Sequence, residues 1–303
     1  REISPLARLL MEKFMPGPLT LVLPRSELVP DVVTAGLDTV AVRLPEHPVA
    51  RRLIELASVP VAAPSANRSG RPSPTLAEHV LEDMNGRIPL IVDGGPSDFG
   101  VESTVLDVTG SVPVILRPGA VTIEELQAVA GTVLVAGASP APALNTTPRS
   151  PGMKYRHYAP GTPLCIAEGE NAEARSDRVL LQVLASIKAG RTPAVFASSE
   201  TKKLLQANLP AGWQIRNAAD RELRNAVDLD PAVGLDTGDA VNPEQCSEKT
   251  KTAKKTVWLV VHGPGSQART AASHLFAGLR WLDSCHADLI IVESADNAGI
   301  GVA

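Results

Sequence analysis

The chain has 303 residues, of which 44% are hydrophobic and only 3% aromatic, and carries a formal net charge of −4. That length serves two domains with ordinary cores, and the apolar share excludes a disordered chain. The mild acidity excludes a globally basic nucleic-acid coat, and no apolar run nears the roughly 20 residues of a membrane span. Nothing at the start resembles a signal peptide, and the opening Arg1 leads us to expect that the true start lies upstream. Cys165, Cys246 and Cys285 lie far apart, and the histidines form no paired cluster. Neither a protein metal cage nor a disulfide framework is expected, and a reducing compartment such as the cytoplasm fits.

The chain opens on a predicted helix: Ser4 caps it, Pro5 takes the first position, and Leu6, Leu9, Leu10 and Phe14 line one face. Pro16-Gly17-Pro18 ends it. Leu19–Leu23 and Thr39–Leu44 read as strands, and 48–57 as a helix. Val59–Ala63 reads as a buried strand that runs into the loop Pro64-Ser65-Ala66-Asn67-Arg68-Ser69-Gly70-Arg71-Pro72-Ser73-Pro74-Thr75. Thr75-Leu76-Ala77-Glu78 and Thr122-Ile123-Glu124-Glu125 both carry the capping-box pattern. Between them lie strand candidates at Ile88–Val92, Thr104–Val108 and Val112–Leu116. This mixture predicts a partly parallel, twisted α/β sheet with helices against it.

From 137 to 163 six prolines interrupt any regular element, which predicts an extended linker. Within it Arg149, Lys154 and Arg156 form a local basic strip with no acidic residue. A second α/β rhythm follows. Strands are expected at Leu164–Ala167, Ala194–Ala197, Val257–Val261 and Leu289–Val292, with helices near 172–188, 201–207, 220–227 and 268–284. That alternation predicts a small Rossmann-like sheet. The Asp-, Gly- and Lys-rich stretch 228–255 reads as a disordered surface insertion. The expected division is thus 1–136, a linker at 137–163, and 164–303.

The loop after residue 63 gathers hydroxyls, free backbone N–H groups and the guanidinium groups of Arg68 and Arg71 ahead of a helix. Such a loop can cradle phosphate oxygens, although a solvated turn is the commoner meaning of that composition. Alternation places Thr39, Ala41 and Arg43 on one face of a strand, where Arg43 is suited to grip a carboxylate or to form a surface ion pair. Glycines flank the strand that starts with Ser103 and Thr104, whose hydroxyls would stand at its mouth unless the pair is incidental to a hairpin. Arg117 ends another strand at a tight turn and would offer a charge for phosphate. No nucleophile–base pair accompanies these groups, so positioning and charge neutralisation fit better than covalent catalysis.

Six ordered segments together resemble the YrdC-like family, in particular its two-domain threonylcarbamoyl-AMP synthases. They are Phe14-Met15-Pro16-Gly17-Pro18-Leu19-Thr20, Val40-Ala41-Val42-Arg43-Leu44-Pro45, Ala63-Pro64-Ser65-Ala66-Asn67-Arg68-Ser69-Gly70 and Glu102-Ser103-Thr104-Val105-Leu106-Asp107. Leu116-Arg117-Pro118-Gly119 and the linker run Ser150-Pro151-Gly152-Met153-Lys154-Tyr155-Arg156-His157-Tyr158-Ala159-Pro160 complete the set. Beyond residue 165 the likeness thins to Leu275–Asp283 and Val292-Glu293. The resemblance implies a YrdC-like mixed open sheet followed by a Rossmann-like domain.

It also implies a reaction in which L-threonine, bicarbonate and ATP give threonylcarbamoyl-AMP and pyrophosphate. The product would feed threonylcarbamoyl modification of the adenosine beside the tRNA anticodon. By position, Arg43, Ala63 and Ser103 would hold threonine, while Thr39, Ser65, Asn67, Ser73 and Arg117 would contact ATP. Tyr155, Arg156 and His157 would reach ATP from a lid formed by the linker. Mg²⁺ is implied as the counter-ion of ATP, with no protein metal site. The implied partners are tRNA or another structured RNA and the downstream threonylcarbamoyl-transfer machinery, with no membrane. The family's Pro-Thr-Glu-Thr and Lys-x-Arg segments would precede Arg1, and a terminal helix would follow Ala303. Two alternatives stand beside this reading. One is a related carbamoyltransferase, which would need zinc-finger cysteine pairs that are not found here. The other is a non-catalytic RNA-binding module with salt-dependent tRNA affinity.

Overall fold

The structure is a computed structural model that describes residues 3–136, 160–218, 255–265 and 267–295. In chain order the first elements are α1 (Pro5–Phe14), β1 (Leu19–Pro24), α2 (Asp31–Thr34), β2 (Thr39–Val42), α3 (Pro48–Ala57), α4 (Ala77–Met84), β3 (Thr104–Asp107), β4 (Val114–Arg117), α5 (Ile123–Ala130) and β5 (Leu134–Val135). Then come β6 (Leu164–Ala167), α6 (Ala172–Lys188), β7 (Pro193–Ala197), α7 (Ser199–Asn208), β8 (Gln214–Asn217), β9 (Thr256–Val261), α8 (Ala268–Ser284) and β10 (Leu289–Glu293). The chain forms two compact units: residues 3–70 with 101–136, and residues 71–100 with the described residues from 160 to 295.

The first unit holds a five-stranded sheet in the order β2-β1-β3-β4-β5. β1 runs antiparallel to β2 and parallel to β3, while β3 is antiparallel to β4 and β4 parallel to β5. α1 starts where Ser4 Oγ accepts the Ala7 N–H at 3.2 Å and Pro5 presets the first helical φ. α5 starts with a complete capping box between Thr122 and Glu125. Both helices bury apolar side chains with Leu19, Leu21, Leu106 and Ile115 of the sheet in one core. Each fully buried leucine there contributes about 1.5–3 kcal/mol. The buried stripe of α1 runs through Ala7 and Leu10, and Leu9, assigned to that face from sequence, is 48% exposed.

Two expected strands do not form. Val59–Ala63 and Ile88–Val92 are apolar enough, yet neither pairs with a neighbouring strand among the described residues. Val59, Val61, Leu90 and Val92 are exposed instead. Strand character depends on a hydrogen-bonded partner as much as on side-chain type. α3 shows the same lack of cover: it has no buried residue, and Val49, Leu53 and Leu56 face out.

The second unit is a doubly wound parallel sheet in the order β6-β10-β7-β9-β8. Its inner strands β7 and β9 are buried on both faces, whereas the edge strands β6 and β8 are largely uncovered. Ala194 and Phe196 of β7 pack with Phe276, Leu279 and Leu282 of α8, whereas Val195 and Ala197 pack with Val179 and Val183 of α6 and Leu205 of α7. This is the period-two alternation of a strand between two helical layers. Gly278 lets α8 approach closely, since a Cβ there would lie 2.8 Å from the Phe196 ring. At the end of β10 the buried Glu293 carboxylate accepts Ser198 N–H at 2.8 Å and Thr201 Oγ1–H at 2.7 Å, which fixes the start of α7.

α4 belongs to this unit, and the capping box expected at Thr75 is absent. Leu76 is the N-cap, without a side-chain bond. The Thr75 N–H is instead donated to His79 Nδ1 at 3.3 Å. The expected linker 137–163 is described only from residue 160, where Asp283 accepts the N–H groups of Gly161 and Thr162 at 3.1 and 2.8 Å. The helix expected at 220–227 lies outside the described residues, as does all of the 228–255 insertion except Lys255.

Candidate active site

In the first unit, strand register gathers the polar groups that matter. Leu21 pairs with Val42, so extending that register by one residue sets Arg43 across from Thr20. Thr20 pairs with Val105, and Val105 with Arg117. One row across the sheet therefore runs from Arg43, just after β2, through Thr20 of β1 and Val105 of β3 to Arg117 of β4, with Ser103 immediately before β3.

Arg117 anchors this row. Its Nε and Nη2 donate to the Ser103 carbonyl at 3.2 and 2.9 Å, and Nη2 also donates to Ser103 Oγ at 3.2 Å. Ser103 Oγ lies 2.8 Å from Thr20 Oγ1. With two nitrogens committed to Ser103, Nη1 remains as its uncommitted donor nitrogen among the described residues. Gly119 makes the geometry possible: a Cβ there would lie 2.4 Å from the Glu102 carbonyl and 2.5 Å from the Thr104 nitrogen. The Pro16-Gly17-Pro18 turn holds the strand ends in place, through Gly17 N–H to Leu44 O at 2.9 Å and Thr104 N–H to Pro18 O at 3.1 Å.

Arg43 follows β2 and is exposed as a residue, yet burial of its guanidinium and the like charge of Arg117 both lower its pKa. Arg117 stands beside the two hydroxyls and its charge disfavours the Arg43 cation, so an anion bound at this row would relax the site. A carboxylate or phosphate seated there would neutralise the repulsion and accept bidentate hydrogen bonds.

The other residues singled out from sequence divide three ways. Thr39, half-buried at the start of β2, and the exposed Ala63 and Ser65 belong to the first unit, as does the half-buried Asn67, whose Nδ2 donates to Arg68 O at 2.9 Å. Ser73 belongs to the second unit and is 9% exposed. Tyr155, Arg156 and His157 lie outside the described residues. Thr104 departs from the expectation of a hydroxyl offered to ligand. It is fully buried, donates to Val121 O at 2.6 Å and accepts Val121 N–H at 3.0 Å, which joins β3 to the segment before α5. Thr20 was missed as a site residue. Its signal was a hydroxyl between the buried Leu19 and Leu21, on the opposite face of the strand.

An open hollow of about 510 Å³ on α3 is lined by Pro48, Val49, Arg52, Leu53 and Leu56 and contains none of these groups. Its lining lacks convergent polar atoms, so it does not define the site. Among the described residues no group of His, Cys, Asp and Glu could hold a metal ion, and no helix is long and apolar enough to cross a membrane.

A mixed open sheet followed in sequence by a doubly wound parallel sheet, each with flanking helices, defines a two-sheet α/β protein. Residues 1–119 match the family model described as "Telomere recombination" (Sua5_yciO_yrdC), and residues 121–303 match "Threonylcarbamoyl-AMP synthase, C-terminal domain". The chain belongs to the Sua5/YrdC family. It is 50% identical over 188 residues to a threonylcarbamoyl-AMP synthase of Pyrococcus abyssi, which covers 62% of this chain and 54% of that protein. It is 38% identical over 299 residues to the Bacillus subtilis threonylcarbamoyl-AMP synthase, covering 98% of this chain and 70% of that one. The chain thus spans about half the length of the first relative and 70% of the second. A crystal structure of P. abyssi Sua5 complexed with L-threonine superposes with a TM-score of 0.74 at 36% identity, covering 100% of this chain and 72% of that one.

Proposed function

We propose that this chain makes threonylcarbamoyl-AMP from L-threonine, bicarbonate and ATP, with release of pyrophosphate. The observation that carries the reading is the hydrogen-bonded set of Arg117, Ser103 and Thr20, with Arg43 set across from Thr20 by the register of the first two strands. The threonylcarbamoyl-AMP synthase names of its relatives and the L-threonine complex of the P. abyssi protein support it.

In this reading Arg43 holds the threonine carboxylate, and Ser103 and Ala63 line the same pocket. The threonine amine attacks the carbon of bicarbonate, forming the N–C bond and releasing water to give a carbamate. A carbamate oxygen then attacks the α-phosphorus of ATP as the bond to the bridging oxygen of pyrophosphate breaks. Arg117 steadies the charge on the phosphates, and Thr39, Ser65, Asn67 and Ser73 contact the nucleotide. Mg²⁺ enters with ATP as its counter-ion. The linker residues Tyr155, Arg156 and His157 close over the site, which keeps water from a labile carbamate and a labile mixed anhydride. Residues 1–136 carry this chemistry, 137–163 the lid, and 164–303 a supporting domain. The product serves a threonylcarbamoyl-transfer machinery acting on the adenosine beside the tRNA anticodon, in the cytoplasm.

The test is pyrophosphate release from ATP and bicarbonate with and without L-threonine, with mass detection of the adenylate. Threonine-dependent release with the adenylate mass is expected. Threonine-independent release, or none from folded protein, would overturn the reading.

A further inference from the structure

The polar row of the first unit includes a hydroxyl with no assigned role, that of Thr20 on β1. Its neighbours Leu19 and Leu21 are fully buried in the core, so alternation turns Thr20 to the opposite face. There it is half-buried, and its Oγ1 lies 2.8 Å from Ser103 Oγ. A threonine within a strand is often a matter of β-branched packing alone. The partners of this one say more.

Arg117 Nη2 donates to Ser103 Oγ at 3.2 Å, and a guanidinium can only donate. The Ser103 hydrogen therefore points away from Arg117, and Thr20 Oγ1 is the other side-chain partner of Ser103 Oγ among the described residues. Each hydroxyl carries a single hydrogen, so the pair uses one between its members and keeps one over. If Thr20 were the donor, the hydrogen left over would belong to Ser103, a residue only 5% exposed. An unmade hydrogen bond is costly there. With Ser103 as the donor, the spare hydrogen stands on the half-buried Thr20. The chain of bonds thus runs from Arg117 through Ser103 to Thr20, polarised by the cation at its head.

A spare donor calls for an acceptor. The β1–β2 register sets Arg43 across from Thr20, and Gly17 N–H to Leu44 O at 2.9 Å keeps the chain after β2 beside β1. Directly opposed residues hold their Cβ atoms about 5 Å apart, which brings one carboxylate within reach of both side chains. We propose that Thr20 is a specificity-determining residue for the amino-acid substrate: its Oγ1–H donates to the carboxylate that Arg43 grips. This rests on the reading that Arg43 holds the L-threonine carboxylate. Ser103 Oγ keeps one lone pair in this arrangement, so it faces a donor of the substrate while Thr20 faces an acceptor.

Three variants of the full chain separate the hydroxyl of Thr20 from its shape. Thr20→Val keeps the shape and removes the hydroxyl, Thr20→Ser keeps the hydroxyl and removes the methyl group, and Thr20→Ala removes both. Dissociation constants for L-threonine and for ATP are measured by calorimetry, with the melting temperature as the check on folding. Thr20→Val and Thr20→Ala should each bind L-threonine about tenfold more weakly, the size of one hydrogen bond to a charged group. Thr20→Ser should bind it like the unaltered chain, and ATP affinity should hold in all three. A packing role would reverse the order, with Thr20→Ser weakened and Thr20→Val unaffected. That order, undiminished threonine binding by folded Thr20→Val or Thr20→Ala, or an equal loss for ATP would overturn the assignment while leaving the functional reading in place. If the unaltered chain binds no L-threonine, the functional reading falls, and the role of Thr20 with it.

Discussion

The two sheets of this chain solve burial differently, and the difference tracks their roles. In the parallel sheet of the second unit, β7 is buried along its whole length and β9 along all but its last residue, between helical layers on both faces. In the mixed sheet of the first unit, β3 is fully buried, but β2 is half exposed and α3 has no buried residue. The cations Arg43 and Arg117 stand on the less covered sheet. If the proposed function holds, the substrates meet the less covered sheet, and the doubly wound sheet is the more densely packed of the two.

The largest expected effects test that contrast in packing. Phe196→Ala should cost about 3–5 kcal/mol and Leu106→Ala about 2–5 kcal/mol, each read as a shift in the urea midpoint. If the units differ as described, Phe196→Ala alters the probe in the second unit and leaves L-threonine affinity unchanged, whereas Leu106→Ala weakens threonine binding as well. Loss of threonine affinity in folded Phe196→Ala protein would break the contrast.

A smaller effect comes from His79 in the second unit. Burial first, and then the charge of Arg280, push its pKa from 6.5 to about 4, against the pull of Glu82 and Asp83. The unfolded chain therefore takes up this proton near pH 6.5, while the folded chain resists it until about pH 4. Its stabilising contribution is complete above pH 6.5 and is lost as pH falls toward 4. His79→Gln should flatten the fall in melting temperature across that window. An unchanged slope would show that His79 protonates as freely in the folded chain. The smallest effect is local to the first unit: Thr122→Ala removes the α5 capping box and should cost about 1 kcal/mol by chemical denaturation.

Much of the architecture was legible in the sequence because local signals coincide with it. The helices at 48–57, 172–188 and 268–284 were read with the observed limits, and the first helix from its Ser4 cap and Pro5 start. The parallel sheet was legible because its strands are short apolar runs between helices. Val59–Ala63 and Ile88–Val92 were misread because a strand needs a partner that side-chain pattern cannot announce. The short β5 and α2 are too brief to carry a period, and β8 reads Gln-Ile-Arg-Asn, with a single apolar residue to mark a strand. The Thr75 pattern misled because the neighbouring His79 captures the N–H that a capping box would shape. Within the candidate site, Arg43, Ser103 and Arg117 were legible from motif and position, while the Thr20 link and the commitment of Thr104 to Val121 depend on register between distant strands.

The central claim is that the paired guanidiniums of the first unit hold the anionic groups of the substrates. Its most direct test is calorimetric titration of the full chain, Arg43→Ala and Arg117→Ala with L-threonine and with ATP. The account predicts that Arg43→Ala weakens threonine binding by about 10- to 100-fold and ATP binding far less, with the reverse for Arg117→Ala. Threonine binding by Arg43→Ala equal to that of the unaltered chain, or equal losses for both ligands in both variants, would contradict it.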